Sequence, residues 1–184
     1  AEKWYKKSLK ISERLNIEAY AAGTYHQLGR VAEEWRDFDA AEKWYKKSLE
    51  IKEKLGNEHD AAGTCHNLGV MAQERRDFDA AEKWYKKSLE ISERLNIEGY
   101  VAGTYHHLGA VAQERRDFLA SGRNFIKAIN VFIKTNAPHE AKIAVANFIR
   151  CLREADQDAQ TELRQLWQEA GLDDKVASLE ELEK

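Results

Sequence analysis

The stretch AEKWYKKSLE stands at residues 41–50 and again at 81–90, and AEKWYKKSLK fills residues 1–10. Lysines interleaved with Trp and Tyr would suit a nucleic-acid surface if both lined one open face, where bases stack and phosphates are neutralised. Helical spacing separates them. On a helix beginning near Phe38, the residues Ala41, Tyr45, Ser48 and Leu49 fall on one stripe, with Trp44 at its shoulder. Lys43, Lys46 and Lys47 fall elsewhere around the cylinder, among Glu42, Glu50 and Glu53. The stretch therefore reads as a packing unit whose aromatics enter a helix–helix interface while its lysines face water.

The repetition extends well beyond these ten residues. Aligned without gaps, 41–80 and 81–120 agree at 28 of 40 positions, 1–40 and 81–120 at 32, and 1–40 and 41–80 at 27. Such agreement without an insertion implies a stack of equivalent units. Each unit reads as two helices. The first covers about 20–36, with Ala22, Tyr25, Leu28, Gly29 and Ala32 at helical spacing. Asp37 is placed to cap the second, about 38–55, which carries Ala41, Trp44, Tyr45, Ser48, Leu49, Ile51 and Leu55 on a broad apolar face. That helix stops where Leu55 meets Gly56, and its equivalents stop at Leu15–Asn16 and Leu95–Asn96. Gly and Asn best tolerate the left-handed conformation that closes a helix.

Composition agrees with a strongly helical chain. Of the 184 residues 33% are charged and 43% apolar, with a single proline. The longest apolar run is a few residues, too short to cross a bilayer. The opening residues lack the apolar core of a signal peptide. Cys65 and Cys151 are the only cysteines, so no disulfide framework is implied and a reducing cytoplasm fits. The net charge of −3 argues against a dedicated nucleic-acid binder.

The recurring marks resemble those of the tetratricopeptide repeat family, in a variant of 40 residues. They are the aromatic–x–x–Leu–Gly of the first helix (Tyr25, Leu28, Gly29; Tyr105, Leu108, Gly109) and the small residue three places on (Ala32, Ala72, Ala112). The Asp-Phe turn (Asp37, Phe38; Asp77, Phe78; Asp117, Phe118) and the Ala…Tyr…Ser-Leu of the second helix (Ala41, Tyr45, Ser48, Leu49) complete the pattern. In the middle copy Cys65 replaces the aromatic, a change expected to loosen local packing, and the family's usual proline after the second helix is absent. The resemblance implies an all-α, right-handed α-solenoid of antiparallel helix pairs. It covers residues 1–135, as a half repeat over 1–17 and full repeats over about 18–57, 58–97 and 98–135. Residues 136–184 are expected to form a degenerate repeat and C-terminal cap.

The resemblance also implies a scaffold that holds a protein or peptide on a concave face lined by first helices. An alternative, also implied by it, is a sensor or oligomerising segment of a larger bacterial signalling ATPase or effector. Because the chain opens on a second helix without its first, the reading expects a piece of a longer array. The residues projecting from the first helices form the candidate partner-binding face. They are His26, Gln27, Arg30, Glu33 and Glu34; His66, Asn67, Val70, Gln73 and Glu74; and His106, His107, Ala110, Gln113 and Glu114. Copies otherwise alike differ at Arg30, Val70 and Ala110, so this column could tune recognition or could drift. The repeated Glu34, Glu74 and Glu114 oppose nucleic acid on that side.

No catalytic constellation stands out, and an enzyme is not expected. His26, His66 and His106 recur one unit apart, roughly the 8–10 Å of packed helices or more. Ligands of one zinc ion must each lie about 2.0–2.1 Å from it, so the ladder implies no metal site. HEAKI at 139–143 lacks the second His of a zinc protease motif. No phosphate loop or cofactor motif occurs. Gly23, Gly63 and Gly103 inside the first helices are expected to mark close helix packing, with ligand approach as the alternative.

The two ends read differently. Pro138 suits the first position of a helix over 139–155, with Ala141, Ile143, Ala144, Phe148, Ile149 and Leu152 mostly on one face. A second helix over about 159–170 bears Leu163, Leu166 and Trp167, ends at Gly171, and leads to a short acidic helix in DDKVASLEELEK. At the other end Trp4, Tyr5, Leu9 and Ile11 lie on a helix covered from one side only. They are expected to offer an apolar patch for self-association, as a homodimer through the N-terminal end.

Overall fold

A computed structural model of the chain describes residues 2–176. These form α1 (Glu2–Arg14), α2 (Glu18–Glu34), α3 (Phe38–Lys54), α4 (Glu58–Glu74) and α5 (Phe78–Arg94). There follow α6 (Glu98–Glu114), α7 (Phe118–Lys134), α8 (Pro138–Glu154), α9 (Gln157–Glu169) and the single turn α10 (Leu172–Lys175). No strand occurs among the described residues. Most of the acidic stretch expected as a final helix, residues 177–184, lies outside them. The chain packs as two units divided between Leu95 and Asn96.

The helix lengths explain the period. Helices α2 to α8 are each 17 residues long. Three-residue links join α1 through α8. The middle residue of every link has a positive φ: Asn16, Arg36, Gly56, Arg76, Asn96, Arg116 and Asn136. In the first full link the amide of Asp37 donates to the Ala32 carbonyl at 2.9 Å and that of Arg36 to Glu33 at 2.8 Å. This paired closure satisfies the carbonyls that a helix end leaves open. Gly and Asn were legible as the stops of the second helices. Arg36, Arg76 and Arg116, which stop the first helices, were not, because a long side chain adopts this conformation at a cost of about 1–2 kcal/mol. Arg36 and Arg76 hold their guanidinium groups 5.3 and 5.5 Å from the rings of Phe38 and Phe78.

Asp37, Asp77 and Asp117 cap the following helices by accepting from the amides of Ala40, Ala80 and Ala120 at 3.1, 3.1 and 3.0 Å. Asn57 accepts from the Asp60 amide at 3.3 Å. Ile17 and Ile97 offer no side-chain cap at the same place.

In the first unit, Ala41, Tyr45, Ser48 and Leu49 are buried, and Lys43, Lys46 and Lys47 are exposed. Lys47 still lies 5.2 Å from the ring of Tyr25 and 5.6 Å from that of Trp44, so its stem shelters aromatic surface while its charge stays wet. Two positions depart from the expected face. Leu55, the residue that closes α3, is exposed, while Lys52 is buried with its ammonium on Thr64 of α4. Cys65, expected to loosen its surroundings, is fully buried in a cluster with Leu68 and Met71 against which Trp84 packs.

The second unit holds Phe125, Phe148, Leu163 and Trp167 in one fully buried cluster. Trp167 lies 4.9 Å from Phe148 and donates its indole N–H to Asp173 at 3.1 Å. Pro138 begins α8 itself, and α9 starts at Gln157, capped by Asp156. Of the apolar residues of α8 expected to fall mostly on one face, Ile143 is exposed, while Val145 is buried.

The expectation of close packing at Gly23 is overturned: nothing lies within 4 Å of where its β-carbon would stand. Gly63, in the same column, is buried, and close approach is found at Gly29, Gly69 and Gly109. A β-carbon on Gly29 would meet Tyr45 Cδ1 at 2.6 Å, one on Gly69 would meet Tyr85 at 2.5 Å, and one on Gly109 would meet Phe125 at 2.8 Å. Leu9 requires a second correction. It is buried with Ala21, Tyr25 and Leu28 against α2, so it belongs to the core rather than to an open patch.

Candidate partner-binding face

The first helices project the candidate residues in a graded way. In the first unit Arg30, Glu34 and Glu74 are exposed, while His26, Gln27, Glu33, His66, Asn67, Val70 and Gln73 are half-buried. In the second unit Glu114 is exposed, and His106, His107, Ala110 and Gln113 are half-buried. The difference follows from what each side chain holds.

His26 sits at the centre of a hydrogen-bonded network between α2 and α4. The Asn67 side-chain amide donates to His26 Nε2 at 3.3 Å, so the ring carries its proton on Nδ1 and donates it to Thr64 Oγ1 at 3.2 Å. Thr64 donates onward to the Asp60 carbonyl at 2.9 Å. Lys52 Nζ donates to Thr64 Oγ1 at 2.8 Å and to the same carbonyl at 3.2 Å. Burial, the Lys52 ammonium and Arg30 push the imidazole down to about 4, against the opposing pull of Asp60. Burial alone pushes His66 to about 4 and, with Arg150 adding to it, lowers His106. Burial likewise lowers Lys52, although Asp60 favours its charge. These histidines are neutral at pH 7 and committed to packing, with ring centroids 5.3 Å (His26–Tyr45), 5.6 Å (His66–Tyr85) and 5.6 Å (His106–Phe125) from the aromatic below.

The glutamate and glutamine column is tied in similarly. Tyr45 donates its hydroxyl to Glu33 at 2.6 Å, and Tyr85 donates to Gln73 at 2.8 Å. The third copy has Phe125 in place of the tyrosine. There Gln113 turns to α8, donating to Glu154 at 2.8 Å and accepting from Arg150 at 3.4 Å. Asn147 donates to His106 at 2.8 Å, repeating the His26–Asn67 relation. Sequence reasoning ended the face at α6 and so missed Asn147, Arg150 and Glu154. They stand 40 residues after His107, Ala110 and Glu114, and extending the register would have found them. Lys52 was also missed, since Ser12 and Ser92 hold its place in the other copies.

In the first unit the exposed candidates are Arg30, Glu34 and Glu74, with Val70 half-buried; in the second Glu114 and Arg150 are exposed, with Ala110 half-buried. Glu74 faces Arg36 at 3.9 Å. Burial pushes the Cys65 thiol up to about 11 and raises that of Cys151, which leaves neither as a nucleophile at neutral pH. Among the described residues no group of three His, Cys, Asp or Glu side chains is placed to hold a metal ion, and no helix is long and apolar enough to cross a membrane.

Two sequence models of the tetratricopeptide repeat match the chain, over residues 1–54 and 61–96. No curated protein sequence matches it. In structure it is similar to BtubC (BKLC) from P. vanneervenii, with a TM-score of 0.77 and 22% identity over 96% of this chain and 74% of that one. It is also similar to a Signal Transduction ATPase with Numerous Domains (STAND) protein with a tetratricopeptide repeat sensor from Pyrococcus horikoshii. There the TM-score is 0.77 and the identity 18%, over 89% of this chain but only 26% of that one. At such identities the likeness shows the fold, an all-α solenoid of helix pairs. With its helix pairs, its glycine–aromatic contacts and both sequence matches in agreement, the chain is a tetratricopeptide repeat protein.

Proposed function

We propose that this chain is a non-catalytic interaction module, working in the cytoplasm, that binds a protein or peptide across the exposed residues of its first helices. One observation carries the reading. The column at positions 30, 70, 110 and 150 reads Arg, Val, Ala, Arg, while the histidine and glycine columns beside it, which hold the packing, stay constant over the first three copies. Variation beside a fixed frame, at positions exposed in Arg30 and Arg150 and half-buried in Val70 and Ala110, suits a recognition surface. The acidic column of Glu34, Glu74, Glu114 and Glu154 favours peptide amides and basic side chains over a phosphate backbone.

The test is a peptide array probed with the full chain and with the Glu34→Lys/Glu74→Lys variant. Binding of basic peptides that is lost in this variant and kept in Lys46→Glu supports the assignment. Equal binding by all three proteins contradicts it.

A second reading, a sensor segment of a larger signalling ATPase, is favoured by the likeness to the repeat sensor of the STAND protein. A nucleotide-binding motif encoded on the same polypeptide would support it, and a gene encoding only these repeats would exclude it.

A further inference from the structure

In the regular pairs the second helix closes on one side of the first. On α2 that side is Ala22, Tyr25, His26 and Gly29. Ser48 of α3 donates to the Ala22 carbonyl at 2.8 Å, Trp44 stacks on Tyr25 with ring centroids 5.6 Å apart, and Tyr45 fills the space beside Gly29. The 40-residue register places Lys142, Val145, Ala146 and Ile149 of α8 at the same four positions.

Helix α9 does not close on them. Ala155 and Asp156 join it to α8 with ψ of 155° and 170°, a two-residue extended link where earlier copies have three residues and a positive φ. This link sends α9 along α7, where Leu163 occupies the space that a β-carbon on Gly122 would need and Glu162 pairs with Arg123. It meets α8 at Phe148, through Trp167. The side of α8 left behind is a groove of about 530 Å³ lined by Lys142, Val145, Ala146, Ile149, Arg150 and Arg153. Lys142, Ala146, Arg150 and Arg153 are exposed, over Val145 and Ile149 at 7% each. No Asp or Glu among the described residues lines it.

A second helix at the ordinary approach does not suit this side. Ile149 stands where Gly29 admits a ring, and Lys142 stands where Ala22 is only 2% exposed. A thinner, extended segment does suit it. Along α8, Lys142, Ala146 and Arg150 follow one another at about 6 Å, four residues of a helix apart. Alternate residues of an extended chain share one face at about 6.6 Å. The two spacings agree over three successive positions.

We infer that the groove on α8 binds an extended acidic segment of another protein, of the pattern acid–x–apolar–x–acid. The apolar side chain rests on Ala146 between Val145 and Ile149, and the two carboxylates meet Lys142 and Arg150, with Arg153 beside them. Arg150 donates to Gln113 at 3.4 Å, which leaves the rest of its fork for a carboxylate. A groove with three cations and no acid selects this charge over the basic segments assigned to Glu34 and Glu74. Arg150 also stands in the variable column, but binding of basic peptides at Glu34 and Glu74 does not depend on it, so either reading can fail alone.

The probe is the labelled peptide Ser-Glu-Thr-Leu-Thr-Glu-Ser, titrated with the full chain at low salt and followed by fluorescence anisotropy. Saturable binding is expected, weakened about fivefold by Lys142→Glu or Arg150→Glu, changes at exposed positions. The double variant should instead prefer Ser-Lys-Thr-Leu-Thr-Lys-Ser. Moving the leucine one place along the acidic peptide should weaken binding, because its side chain then leaves the face of the carboxylates. Glu34→Lys/Glu74→Lys should leave binding unchanged. No saturation up to about 1 mM overturns the inference, as does equal binding of the peptide with the shifted leucine. Displacement by oligothymidine at lower concentration than by unlabelled peptide would assign the groove to a phosphate backbone and overturn it. Binding seen only after Glu180→Gln/Glu181→Gln/Glu183→Gln would assign the groove to the chain's own acidic stretch, with the same consequence.

Discussion

The ring of Tyr45 occupies the space that a β-carbon on Gly29 would fill, its Cδ1 standing 2.6 Å from that point. Tyr85 stands in the same relation to Gly69 at 2.5 Å. Both rings are fully buried and cannot withdraw without opening the interface between the helices of a pair. Gly69→Ala is therefore expected to cost about 1–3 kcal/mol by overpacking. Gly23 lies in the same class of helix with no neighbour within 4 Å, so Gly23→Ala should gain about 0.4–1 kcal/mol from helix propensity and a less flexible unfolded chain. Urea denaturation of the two variants checks both signs. A loss at Gly23 would show that its backbone makes a contact the structure does not.

Leu68 is fully buried in the cluster of Ala41, Tyr45 and Cys65, whereas Lys46 is exposed and pairs with Glu42 one turn away at 2.5 Å. Leu68→Ala should cost about 2–5 kcal/mol. Lys46→Ala should stay within about 0.5 kcal/mol of the parent, since an exposed ion pair contributes little. Similar shifts of the urea midpoint in both variants would reverse the assignment of the two faces.

Sequence periodicity located the helix pairs because the packing stripe and the Asp caps repeat in register, and the links were legible wherever Gly or Asn stood in them. Three features escaped it for separate reasons. Arg36, Arg76 and Arg116 adopt a conformation that their residue type disfavours, so no propensity points to them. Lys52 is buried by a network assembled from α3 and α4, and its partner Thr64 is a residue common to the first three copies. The histidines were recognised as a ladder, but their bonds to Asn67 and Asn147 span 41 residues, a relation created only where one helix pair packs on the next within each unit.

Tyr45 donates to Glu33 at 2.6 Å, and the third copy dispenses with the equivalent bond by using Phe125. Tyr45→Phe should preserve the ring packed on Gly29 and cost about 0.5–1.5 kcal/mol, the net value of one hydrogen bond. Glu33→Gln retains an acceptor, as Gln73 does for Tyr85, and should cost less. Thermal denaturation of the pair distinguishes them. A larger loss for Glu33→Gln would mean that the charge, rather than the acceptor, matters at this position.

Stability should fall on mild acidification, and the histidines set the window. His26 and His66 are each pushed down to about 4 in the folded chain from an ordinary value of 6.5. Burial is the leading cause for both. His26 also faces the positive charges of Lys52 and Arg30, with Asp60 opposing them. Between about 6.5 and 4 the unfolded chain binds more protons at these rings than the folded chain does, so stability rises with pH across that interval and is lost as pH falls through it. The carboxylates of Glu58 and Asp60 are held below their ordinary values of 4.5 and 3.8, and their contribution is lost only at lower pH. The interval from about pH 6.5 down to 5 therefore isolates the histidines. Urea midpoints should decline over it, and His66→Gln should flatten the decline by removing one of the two strongest contributors. An unchanged midpoint between pH 7 and 5 in the parent chain would mean that both rings accept a proton without leaving their sites, and that the network around His26 tolerates the charge.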